Sequence, residues 1–130
     1  MNDKKEFLID TDILIEYLTF SKSTELSSLE IAMSSGICFT TVINVSELFF
    51  AAGDETTKEK IKKVVSALKV LGVNARYSLN ISDFFNKVAT VRDALICSIA
   101  KNNKLPVITN NIDRYKNSGI EIIDPEKIRG

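Results

Sequence analysis

The sequence predicts an α/β fold built on a parallel sheet with helices on both faces. Three observations carry this. Short apolar runs recur at residues 7–9, 38–40, 106–109 and 120–123, as in strands buried on both sides of a sheet. Helical patterns separate them, which calls for parallel crossovers. The chain has 130 residues, enough for one domain, taken here as 1–130, that buries roughly two thirds of its unfolded surface.

Taken in order, the first strand (7–9, "FLI") runs into a helix at 12–19. A second helix is expected at 24–34, then the second strand at 38–40. The stretch 41–52, "TTVINVSELFFAA", is apolar almost all round and reads as a buried helix. A lysine-rich helix follows at 58–71. Residues 75–79 are a weaker, more polar strand candidate. Helices at 81–89 and 93–102 precede the strands at 106–109 and 120–123.

Composition narrows the chemistry. There are 17 basic and 17 acidic residues, so the formal net charge is zero, unlike domains that hold nucleic acid by general electrostatics. The absence of histidine excludes Ser–His and Cys–His nucleophilic sites and the usual zinc sites. Catalysis must therefore rest on carboxylates, lysines, hydroxyls or a metal held by oxygen. The two cysteines, Cys38 and Cys97, lie in apolar settings and read as buried free thiols. No apolar run approaches the roughly 20 residues that span a bilayer, and "MNDKKEF" has no signal-peptide core. A cytoplasmic location is the expectation.

Several acids interrupt apolar sequence without an obvious local reason. Asp10 follows Phe-Leu-Ile and falls at the carboxyl end of the first strand, the edge where open α/β sheets bind ligands. Asp12 stands where a helix cap belongs, and capping is the expected role. Glu47 sits in the middle of the apolar helix, with Asn44 one turn before it. An ionised carboxylate there needs a partner or a cation unless the residue lies at an exposed edge. Asp93 opens the helix "DALICSIA", where the helix dipole alone favours an acid, so structural and chemical roles both stand. After the strand ending at Thr109 come Asn110, Asn111 and Asp113, residues of turns or of a ligand site. Asp54 reads as a turn residue and Asp83 as one near a helix start.

These positions share a placement. Asp10, Glu47, Asp93 and the Asn111/Asp113 pair all map to strand ends or to helices starting there. Carboxylates gathered without lysines repel one another unless divalent cations neutralise them. Oxygen-only ligands suit Mg²⁺ or Mn²⁺.

Four motifs in order, "LIDTDILIEYL", "TTVINVSEL", "DALICSIAKNNKLPVIT" and "TNNIDRY", make the chain resemble the PIN-domain ribonucleases over nearly its whole length. Among these it is similar to the VapC-like toxins of prokaryotic toxin–antitoxin pairs. The resemblance implies a three-layer sandwich with a short parallel sheet, a homodimer and a small antitoxin partner. It also implies Mg²⁺- or Mn²⁺-dependent hydrolysis of RNA phosphodiesters. Carried over by position, it puts the metal-binding and catalytic acids at Asp10, Glu47 and Asp93. A fourth is expected at Asp113, or Asn111 acts through its side-chain oxygen, and Thr109 matches a hydroxyl position near the centre.

For holding RNA the candidates are Lys58, Lys60, Lys62, Lys63 and Lys69, with Arg92, Lys101 and Lys104. The run "TKEKIKKV" reads as a solvated helix face, which leaves Arg92 as the better RNA or antitoxin contact. At least one member of each pair Phe49–Phe50 and Phe84–Phe85 belongs to the core. Three rivals stand beside this reading. A receiver domain would use Asp54 and Lys104, and a haloacid-dehalogenase-type phosphatase is suggested by "DTDIL", although that motif departs at Leu14. A PIN-fold binding module without activity is the third.

Overall fold

The protein is described by a computed structural model over residues 5–19 and 25–129. Five strands form one parallel sheet in the order β3-β2-β1-β4-β5. They are β1 (Lys5–Ile9), β2 (Gly36–Thr41), β3 (Lys69–Leu71), β4 (Val107–Ile108) and β5 (Ile122–Ile123). The central strand β1 sets Phe7 opposite Cys38 on one side and Leu8 opposite Val107 on the other. Its carboxyl end therefore lies at the middle of the sheet edge, where a ligand can be reached from both flanks.

Alternation along β1 divides the interior in two. Phe7 and Ile9 enter one core with Leu29, Leu48 and Ile61, contributed by helices α2 (Ser28–Ser35), α3 (Val42–Ala51) and α4 (Glu55–Ser66). Ile13 and Leu14 of α1 (Thr11–Thr19) join the same core. Leu8 faces the other way and packs with Ile96, Ile99 and Tyr115. Those residues come from α6 (Val91–Asn103) and the short α7 (Ile112–Tyr115). With helices on both faces, the architecture is the expected three-layer α/β sandwich. Among the described residues, no helix is long and apolar enough to cross a membrane.

Local signals place the helix starts. Ser27 and Glu30 form a capping box ahead of α2, and Thr41 and Asn44 form one ahead of α3. Asp54 caps α4 through the Thr57 N–H, as a turn residue should. Thr90 caps α6. The helix expected from residue 24 begins at Ser28; residue 24 itself lies outside the described residues.

Four expectations are corrected. Residues 75–79 are not a strand but a short helix, α5 (Ala75–Leu79), whose first turn is capped by Asn74. The strand in that region is β3, three residues assigned above to the end of the lysine-rich helix, which stops at Ser66. A three-residue edge strand is too short to show its own periodicity, and it carries the helix's lysine-rich composition on its first residue.

In place of a helix at 81–89 there is a 3₁₀ turn at Asn80–Phe84, and Asn86 takes a positive φ of 63° soon after. Lastly, α3 is not buried all round: only Asn44 and Leu48 are fully buried, and Phe50 is 95% exposed. The phenylalanine pairs divide as expected, with Phe84 buried and Phe85 turned outward. The last helix, α8 (Pro125–Arg129), follows β5.

Candidate active site: an acidic cluster bridged by an arginine

Asp10 is the hub of the site. It leaves the end of β1 fully buried, and its carboxylate is surrounded by donors. Oδ1 accepts the Thr11 N–H at 2.8 Å, Asn44 Nδ2 at 3.2 Å and Arg92 Nη2 at 2.8 Å. Oδ2 accepts the Tyr115 hydroxyl at 3.0 Å and lies 3.0 Å from Thr109 Oγ1. A buried charge persists only when so compensated.

Glu47 reaches the same point from α3. Its Oε1 accepts the Thr11 hydroxyl at 2.5 Å and Arg92 Nη2 at 2.9 Å, and its Oε2 accepts Arg92 Nε at 3.1 Å. Its side chain is 40% exposed, so Glu47 forms the rim of the cluster and not a buried charge. Burial opposes its ionisation, but hydrogen bonds from Arg92 and Thr11 outweigh this and hold its pKa below the usual value. Asp93, in the first turn of α6, is buried, and its Oδ1 accepts Arg92 Nη1 at 3.2 Å. Arg114 Nε lies 3.8 Å from the same oxygen.

The fold therefore brings Asp10, Glu47 and Asp93 together, as expected, and Thr109 with them. Arg92 is placed differently from the expectation. It does not reach outward to a partner; its guanidinium stands among the three acids and also donates to Tyr115 Oη at 2.5 Å and Thr11 Oγ1 at 3.1 Å. Burial works against its charge, yet the hydrogen bond to Glu47 and the field of Asp10 raise its pKa above the ordinary value. The repulsion among the acids is relieved by this cation of the chain's own.

Asp12 and Asp113 are placed differently from what was expected. Helix α1 starts at Thr11, one residue before the expected cap, because Asp10 itself accepts the Thr11 and Ile13 N–H groups. Asp12 is thereby carried into the first turn, where its carboxylate accepts the Asn110 N–H at 2.9 Å and Asn111 Nδ2 at 3.1 Å. Burial, and then the charge of Asp10, raise its pKa. Asp113 points to solvent on α7, its side chain 95% exposed, and its partner is Lys116 at 3.9 Å. It stands apart from the cluster, and Asn111 donates to Asp12 through its amide nitrogen.

Three residues of the site were not singled out as site residues from sequence. Tyr115 is fully buried, and burial followed by the Asp10 charge raises its pKa well above the ordinary value. Asn44 links the α3 capping box to Asp10 and Thr11, and Thr11 ties Glu47 to α1. The pattern "TTVIN", a Thr three residues before a side-chain acceptor, was the available signal for Asn44.

The lysines lie elsewhere. Lys58 and Lys62 pair with Glu55 and Glu59 along α4, as a solvated face does, and Lys101 pairs with Asp83. Cys38 and Cys97 are buried free thiols, as expected.

The donor set of Asp10, Asp12, Glu47 and Asp93 is made of hard carboxylate oxygens and fits Mg²⁺ or Mn²⁺ in kind. In this arrangement no group of three acids among the described residues is spaced to hold an ion, and the guanidinium of Arg92 lies against Asp10, Glu47 and Asp93.

No curated protein matches the chain. Solved structures do. The chain is similar to one in VapBC2 from Rickettsia felis bound to a promoter DNA fragment, with a TM-score of 0.76 at 18% identity over 92% of this chain and 97% of that one. It is also similar to one in DNA-bound VapBC from Salmonella typhimurium, with a TM-score of 0.73 at 21% identity over 93% and 98%. A third is VapBC-1 from nontypeable Haemophilus influenzae, with a TM-score of 0.74 at 18% identity over 93% and 98%. At these identities the likeness is one of fold. A family model described as PIN domain matches residues 7–119, and with most of its length covered the chain belongs to the PIN domain family.

Proposed function

We propose that this protein is a Mg²⁺- or Mn²⁺-dependent endoribonuclease and the toxin of a toxin–antitoxin pair. The observation that carries the reading is the convergence of Asp10, Glu47 and Asp93 from three distant chain segments onto one sheet edge, in a chain of the PIN family. Asp10, Glu47 and Asp93 would hold the ion, with Asp12 beside them in the place expected of Asp113. When bound, a divalent ion supplies an activated water and neutralises charge building on the phosphate.

The protein's own residues do the positioning. Tyr115 and Thr109 fix the Oδ2 edge of Asp10, and Thr11 and Asn44 hold Oδ1 and Glu47 in register. Fixed donors of this kind spare the carboxylates from reorganising during reaction.

The test is cleavage of single-stranded RNA with added Mn²⁺. Asp10→Asn is expected to lower the rate about a hundredfold or more, as is EDTA. Wild-type cleavage by the Asp10→Asn protein would overturn the reading.

For the partner, the neighbours are chains of VapBC assemblies. A groove of about 590 Å³ between α1, α2 and α4, lined by Tyr17, Leu29, Met33 and Val64 with Glu30, Lys60 and Lys63 beside them, suits an antitoxin segment. The exposed Phe50 of α3 suits the seam of a homodimer. Gel filtration alone and with a co-expressed neighbouring gene product tests both.

A further inference from the structure

The guanidinium of Arg92 does what the sequence left to a metal: it balances carboxylates drawn from β1, α3 and α6. Its Nη2 alone bridges Asp10 Oδ1 at 2.8 Å and Glu47 Oε1 at 2.9 Å, while Nη1 reaches Asp93 Oδ1 at 3.2 Å. The same three carboxylates would hold a divalent ion, and the guanidinium now takes up the coordination they would offer it. One place cannot take both cations.

We propose that Arg92 is a built-in competitor of the metal: its guanidinium and a divalent ion exclude each other among Asp10, Glu47 and Asp93, so that loading requires the side chain to swing out and metal affinity is held down. The inference rests on the metal-dependent reading above.

The surroundings allow such an exchange. Arg92 enters from the first turn of α6, whose backbone is pinned by the Thr90 cap, so the side chain can leave without moving the helix. It is 21% exposed and adjoins Glu47 at the open rim, which gives it a way to solvent. Asp10, by contrast, is fully buried and held by five donors, four of which do not depend on Arg92. Arginine remains charged at every working pH, so the contest is between two cations and not between a cation and a proton. Asp12 is also close enough to Asp10 to feel its charge. Four acids thus gather at this edge against two guanidinium groups, Arg92 among three of them and Arg114 3.8 Å from Asp93, which leaves a surplus of negative charge that draws divalent ions toward the site.

The test is Mn²⁺ binding, followed by calorimetry and by the electron paramagnetic resonance signal of free Mn²⁺. The proteins are wild type, Arg92→Gln, Arg92→Lys and the double variant Asp10→Asn/Arg92→Gln. Arg92→Gln is expected to bind at least about tenfold more tightly than wild type, equivalent to about 1.4 kcal/mol. Arg92→Lys should lie between them, since lysine keeps the charge without the fork. The gain should vanish in the double variant.

Arg92→Gln leaves the acids unbalanced and can fail to fold without metal, so a second measurement uses the wild-type chain. Phenylglyoxal labelling, read by mass spectrometry, should modify Arg92 several-fold faster when Mn²⁺ is present, because the guanidinium is then released.

Equal Mn²⁺ affinity in wild type and Arg92→Gln, or an Arg92 labelling rate that Mn²⁺ leaves unchanged, overturns the competition and leaves the nuclease reading intact. No binding by either protein at millimolar Mn²⁺ overturns both.

Discussion

Replacing Tyr115 with phenylalanine removes one oxygen and tests how the buried acid is held. The Tyr115 hydroxyl donates to Asp10 Oδ2 at 3.0 Å and accepts from Arg92 Nη1 at 2.5 Å, in a site without solvent exposure at either Asp10 or Tyr115. Hydrogen bonds to charged groups contribute about 1.5–3 kcal/mol each, and a buried group stripped of a partner costs a similar amount. Against this, Oδ2 keeps Thr109 and the guanidinium keeps its three acids, so part of the loss is absorbed. The net expectation is a destabilisation of about 2–3 kcal/mol, or a fall in Tm of roughly 6–12 °C for a chain of this size. Urea unfolding followed by circular dichroism measures it. Repeating the substitution in an Asp10→Ala background supplies the control: the cost should shrink by at least about 1 kcal/mol, the coupling expected of residues in one network. A Tyr115→Phe protein within about 0.5 kcal/mol of wild type, or an unchanged cost in the Asp10→Ala background, would refute the assignment of Tyr115 as the residue that positions Asp10.

Three further outcomes are expected. Gly36→Ala places a methyl group 2.2 Å from the Lys5 carbonyl oxygen across the β1–β2 pair; urea unfolding should show a loss of about 1–3 kcal/mol. Asp113→Asn should leave Mn²⁺ binding and RNA cleavage within about twofold of wild type, whereas Asp12→Asn should weaken both by about tenfold or more, which titration and a cleavage assay would separate. Burial pushes the thiols of Cys38 and Cys97 up to about 11. Because only the thiolate attacks, iodoacetamide at pH 8 should leave both unmodified in the native protein and label both in urea, as mass spectrometry would record.

Which parts of the molecule could be read from residues alone follows from what each signal depends on. Asp10 and Glu47 stood out because nothing adjacent in sequence calls for an acid there. The reasons for them lie across the fold, where they meet in the expected cluster with Asp93. Asp12 was misread by the same local logic applied too well. It sits within one residue of a helix start, but Asp10 already satisfies that start, and this freed Asp12 to bind the loop after β4. Asp113 lies away from the cluster because spacing along a loop does not fix direction: α7 begins at Ile112 and turns the acid outward while bringing Tyr115 in. Arg92 was legible as a charge next to an acid, but its direction was not. Long side chains are placed by the partners that tertiary structure supplies, and here, besides its neighbour Asp93, those partners are Glu47 and Asp10, 45 and 82 positions away. The strands β1 and β2 were evident from apolar runs, while β3, with its exposed Lys69 and Val70, has no buried face to betray it.

The order of the sheet has a consequence for a chain still being made. Because β1 pairs on one side with β4, and because Thr109 and Tyr115 hold the Oδ2 edge of Asp10, a polypeptide halted at residue 100 owns all three central acids yet lacks both groups that hold that edge of the first. If the proposed nuclease reading holds, a product truncated there is expected to cleave RNA more slowly than the 130-residue chain.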